Sequence, residues 1–166
     1  GGAMAVWDPK RNKVVENYRH LIKNQSIAAL ASEPQSGLVF GGSGNYGGGG
    51  TQPTEKEALF FAFDPRKKEK VFETALAPGA QTYAALCAAR GRIFAAVGST
   101  LYVFDPATMA VARQVALPGS QVEISLGVHR DGTLYGLCSA GVYTANAESC
   151  EVKLIAQSPV PVSCGF

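Results

Sequence analysis

Charge is scarce in this chain: only 17% of its residues are Asp, Glu, Lys or Arg, and they nearly cancel to a formal net charge of +2. No basic stripe is available to hold a phosphate backbone, so nucleic acid is not an expected partner. Long apolar runs are missing as well. Although 46% of the residues are hydrophobic, no run approaches the roughly 20 residues of a spanning helix, and no membrane partner is expected. Histidine is rare, and neither His20 nor His129 has a nucleophile or metal-ligating neighbour in sequence. Cys87, Cys138, Cys150 and Cys164 form no CxxC pair and have no histidine at zinc-like spacing. Neither a metal nor a cofactor is expected. An even cysteine count permits disulfides, but the repeat register below separates most of the four onto different strands. Buried free thiols are the expectation, which favours a reducing, cytoplasmic compartment.

What the chain does have is turns and repetition. Nineteen glycines and nine prolines suit an all-β repeat protein. Leu101-Tyr102-Val103-Phe104-Asp105-Pro106 is echoed by Leu59-Phe60-Phe61-Ala62-Phe63-Asp64-Pro65, by Ala5-Val6-Trp7-Asp8-Pro9, and more faintly by Val142-Tyr143-Thr144-Ala145-Asn146. The Asp/Asn positions 8, 64, 105 and 146 are 56, 41 and 41 residues apart. A period near 41 predicts stacked units of one supersecondary type. Asp-Pro after an aromatic residue predicts a strand end and a tight turn, because proline fixes φ and the carboxylate accepts from N–H groups two residues on. These aspartates are therefore read as structural.

The same register recurs elsewhere. A glycine precedes the second strand of each unit at Gly37, Gly91 and Gly132, and a glutamine stands just before each first strand at Gln25, Gln81 and Gln121. The expected strands, A to D in each unit, are Ser26–Ala31, Leu38–Gly42, Leu59–Phe63 and Val71–Ala75; Thr82–Cys87, Arg92–Val97, Leu101–Phe104 and Val111–Leu117; Val122–Val128, Thr133–Cys138, Val142–Ala145 and Val152–Ala156. A hairpin from Ala5 to about Arg19 comes before them, with His20–Gln25 as a connector, and Val160–Phe166 reads as the first strand of another unit. Gly1–Met4 reads as the residue of a cloning junction. The surplus in the first full unit falls in a Gly-rich insertion, Ser43–Glu57, in which Thr54–Glu57 could form a short helical turn.

Four short strands per repeat of about 41 residues resembles β-propeller blades of the WD40-like/YVTN superfamily, whose third strand often ends in an aromatic-Asp pair. Here those pairs are Trp7-Asp8, Phe63-Asp64 and Phe104-Asp105. The resemblance implies an all-β propeller over 5–166: a partial blade at 5–22, blades at 23–76, 77–117 and 118–158, and the start of another at 159–166. So few blades imply either a fragment of a larger propeller, which would associate with missing blades or with itself, or an unusual four-bladed ring in which Val160–Phe166 joins the N-terminal strands in a shared blade; the fragment is the favoured expectation.

The resemblance also implies that the D–A and B–C connectors share one face. Gln25, Asn45, Tyr46, Gln81, Gln121 and Glu123 are the candidate ligand-binding residues there; consecutive glycines let a ligand approach backbone closely, and Asn45 with Tyr46 offers an amide and a stacking ring. No Gly-Lys-Ser/Thr follows, so the insertion is not a P-loop. The expected function is a non-enzymatic binding module for a protein partner or a small polar ligand. The alternative is a propeller enzyme acting on a carbohydrate or lactone, for which no catalytic residue can be named and no partner carboxylate for Glu123 is visible.

Overall fold

The computed structural model describes residues 2–46 and 52–163, and every element among them is a β-strand. A hairpin of β1 (Gly2–Asp8) and β2 (Lys13–Ile22) comes first. Sheet I follows with β3 (Ser26–Glu33), β4 (Leu38–Gly44), β5 (Phe60–Asp64) and β6 (Glu69–Thr74). Sheet II holds β7 (Ala85–Ala89), β8 (Arg92–Val97), β9 (Thr100–Asp105) and β10 (Ala110–Ala116). Sheet III holds β11 (Gln121–Val128), β12 (Thr133–Cys138), β13 (Gly141–Asn146) and β14 (Val152–Gln157). Each full sheet is a four-stranded antiparallel meander in chain order.

One turn is built four times. The Oδ1 atoms of Asp8, Asp64 and Asp105 accept the N–H of Lys10, Arg66 and Ala107 at 2.9, 2.9 and 2.8 Å. Asn146 does the same for Glu148 and Ser149, both at 2.8 Å. Four residues after each of them the backbone is left-handed although the residue is not glycine: Asn12, Lys68, Met109 and Cys150 have φ of 50°, 60°, 51° and 60°. The repeated side-chain bonds hold that otherwise disfavoured conformation in place. In the first three turns a bulged residue follows at Val15, Val71 or Ala112, turning the last strand of each unit.

The sheets stack face to face, with β1 against β3, β3 against β7 and β7 against β11. Because strand side chains alternate between faces, sheet II is apolar on both. Ile93, Ala95 and Phe104 pack on Phe40, Phe60 and Ala62 of sheet I. Phe94, Leu101 and Val103 pack on Leu134, Tyr143 and Ala145 of sheet III. A third cluster joins Met4 and Ile22 of the hairpin to Phe61 and Phe63. That double burial is why β8 reads as an unbroken apolar run. The last strands β6 and β10 are half-solvated and carry Glu69, Lys70, Glu73 and Arg113, charges that blunt an exposed sheet edge.

Several boundaries differ from expectation. β7 starts at Ala85, not Thr82, because 82–84 cross over from sheet I: Thr82 bridges Gly44, Tyr83 donates its N–H to Ser43 O at 3.0 Å, and the buried Tyr83 hydroxyl accepts from Ala77 N at 2.7 Å. β2 continues through His20 to Ile22, since Ile22 is fully buried. Gly2–Met4 continue β1, where Gly2 pairs with Ile22 and Met4 is buried. Glu55–Glu57 are bends and not a helical turn. Residues 158–163 form no strand, and 164–166 lie outside the described residues. Even so, Val162 donates its N–H to Ser139 O at 3.1 Å, much as Gln121 donates to Gly98 O at 2.6 Å at the start of β11.

Candidate functional site

The β2–β3, β4–β5 and β6–β7 connectors meet at one end of sheets I and II, and most of the proposed site residues fall there. Gln25 is buried; its amide donates to Glu57 O at 2.9 Å, and its Oε1 accepts the Ser43 hydroxyl at 2.5 Å. Asn45, also buried, donates from its side chain to Glu55 O at 2.5 Å and from its backbone to Gln81 O at 2.7 Å. Gln81 is exposed and reaches Gly79 O at 3.2 Å and Lys56 O at 3.4 Å. Asn24 donates to the Glu55 carboxylate at 3.2 Å, and Gly79 N donates to Glu57 Oε2 at 2.7 Å. The segment Glu55–Glu57 is thus fastened on both sides. Tyr46 stands exposed at its rim.

Burial divides these candidates. The buried side chains of Gln25 and Asn45 are committed to the Glu57 and Glu55 carbonyls, so they form the floor of the site. Gln81 and Tyr46 are exposed at its rim, although the Gln81 amide is also held by Gly79 O and Lys56 O. The glycines at 47–50 lie outside the described residues.

Gln121 belongs to the next junction. Its amide donates to Ser125 Oγ at 2.9 Å and Val122 O at 2.7 Å, and its Oε1 accepts the Tyr143 hydroxyl at 2.6 Å. With Thr82, Ala84 and Gly98 it lines a cleft of about 100 Å³. Glu123 lies in β11, and its side chain lies outside what the structure describes.

The remaining polar candidates behave as structure. Asp64 is nearly buried; burial alone would raise its carboxyl pKa, but the Arg66 and Lys67 N–H groups and the Arg66 guanidinium outweigh it and hold the pKa low. Glu33 follows the same rule through Ser36 and Gln35. His129 pairs with Asp131 at 3.0 Å in the exposed β11–β12 turn, away from the connectors just described. Cys87, Cys138 and Cys150 are buried free thiols, and burial pushes the Cys87 thiol up to about 12. Among the described residues no three His, Cys, Asp or Glu side chains are grouped to hold a metal ion.

A second cleft was not anticipated. Glu33, Ser36, Arg90, Arg92 and Asp105 line a space of about 360 Å³ among the turns of sheets I and II, at the opposite ends of the strands. Its residues come from turns far apart in sequence and meet only because the sheets stack.

An all-β chain of repeated four-stranded antiparallel sheets is what these observations define. No protein-family model matches it, and no curated protein is significantly similar to it.

Proposed function

We propose that the chain is a β-propeller repeat protein that acts as a non-enzymatic binding module, presenting its connector end to a small polar ligand or a protein partner. The first strands β3, β7 and β11 lie side by side while β6 and β10 face outward. Blades arranged about an axis have this order, and the recurring turn supports it. The observation that carries the binding role is the fastening of Glu55–Glu57 by Gln25, Asn45 and Gln81. Connectors from successive units hold one floor with the exposed Gln81 and Tyr46 at its rim, so a ligand meets an ordered surface and pays little ordering cost on binding.

The test is amide chemical-shift mapping of the ¹⁵N-labelled protein against a panel of neutral oligosaccharides and polyols, repeated with Tyr46→Ala and Gln81→Ala. Saturable shifts around Asn24, Tyr46 and Gln81, weakened about tenfold by either substitution (an effect of one lost contact), are expected. Shifts confined to the Arg90–Arg92 cleft would move the site to the opposite end. Hydrolysis of a saccharide or lactone during the titration would replace the binding role with catalysis.

A further inference from the structure

The repeat register makes the two ends of the sheet stack comparable residue by residue. Three residues after the glycine of each second strand stand Phe40, Phe94 and Tyr135. Phe40 and Phe94 are fully buried because the following sheet covers them, whereas Tyr135 at the end of the stack is 45% exposed. One residue before each Asp or Asn stand Trp7, Phe63, Phe104 and Ala145. The last three are at most 1% exposed, covered by the preceding unit, whereas Trp7 on the first hairpin is 54% exposed. Met4 and Tyr18 face sheet I, so alternation puts Ala5 and Trp7 on the hairpin's other side. The hairpin therefore shows the face that sheets I to III bury against a preceding unit. Sheet III shows the face that sheets I and II bury against a following one.

We propose that these are two halves of one interface, and that the open face of sheet III, centred on Tyr135 with Leu137 and Val142, docks the open Trp7 face of a second copy of this chain, head to tail. The occupant follows from continuity: the same kind of contact is made three times within the chain, between hairpin and sheet I, I and II, and II and III. The uncovered faces carry the residues that a fourth such contact requires. Two surfaces that differ from each other give a heterologous contact, which closes into a ring or propagates as a polymer.

Light scattering and the emission of Trp7, the only tryptophan in the chain, test this together. Association to at least twice 17.4 kDa is expected as concentration rises, accompanied by a shift of Trp7 emission to shorter wavelength. Trp7→Lys and Tyr135→Lys should each weaken self-association by at least about thirtyfold, as buried aromatic anchors do. Mixing the two variants should restore a pair, because one retains an intact sheet III face and the other an intact hairpin face. Both positions are solvent-exposed, and Val142→Glu provides an independent disruption if either lysine variant fails to melt cooperatively. A monomer at all concentrations, whether Trp7 is solvated or shielded within its own chain, overturns the proposal. So does association that survives both lysine substitutions, or variants that fail to pair on mixing.

Discussion

Replacing Phe104 with alanine should remove the best-packed ring between sheets I and II. Its centroid lies 4.9 Å from Phe60, 5.5 Å from Phe72 and 5.8 Å from Phe40. All three neighbours are fixed on strands of sheet I, so the space vacated cannot collapse without displacing a sheet. Truncations of this kind cost about 3–5 kcal/mol, and the rigid surroundings place this one near 4. For a chain of this size each kcal/mol shifts Tm by about 2–4 °C, so a fall of roughly 8–16 °C is expected. Urea unfolding followed by far-ultraviolet circular dichroism measures it directly. Trp7→Ala is the internal control, because Trp7 holds the same register position without a covering sheet. In dilute solution its loss should be under about 1 kcal/mol, as for an exposed side chain. Losses of similar size at the two positions would refute the claim that the register position is buried by its neighbouring unit.

Three other outcomes follow from the packing. A Cβ on Gly136 would lie 2.2 Å from the Tyr143 ring that covers it, so Gly136→Val should cost about 3 kcal/mol or more by overpacking, read from the urea midpoint. The carboxyls of Glu33, Asp64 and Asp131 have folded-state pKa values below their ordinary ones. The unfolded chain then binds more protons in acid. Their contribution is complete above the unfolded carboxylate range near pH 4 and is lost as pH falls through the folded values. Urea midpoints from pH 6 to 2 should drop on the acid side, with a shallower drop in Glu33→Gln. Cys87, Cys138 and Cys150 are buried and should resist a disulfide-exchange reagent until the protein is unfolded; rapid labelling of the native state at Cys87 would contradict the packing of sheets II and III.

The sequence reveals most where one physical cause acts repeatedly. Asp-Pro after an aromatic residue marks three of the four hairpin tips that end in the repeated turn, and the strands Arg92–Val97 and Thr133–Cys138 have the expected bounds. Asn146 looked like a degenerate copy, yet an amide oxygen accepts the same two N–H groups as a carboxylate, so the turn survives the substitution. Thr82–Ala84 misled because their apolar pattern serves a crossing between sheets, with Tyr83 buried against Ala77. At the candidate site the glutamine period was legible, but the carbonyl that Gln25 meets, and one of the two that Gln81 meets, belong to an insertion with no counterpart in the other units. The Arg90–Arg92 cleft left no local signal, since its parts sit on separate turns.

The most direct test of the repeat architecture is a crystal structure of the protein in its solution assembly. β3, β7 and β11 should appear as successive neighbours about one axis, with Tyr135 covered by the Trp7 face of another copy. Sheets paired edge to edge through β6 or β10, or first strands separated from one another, would contradict it.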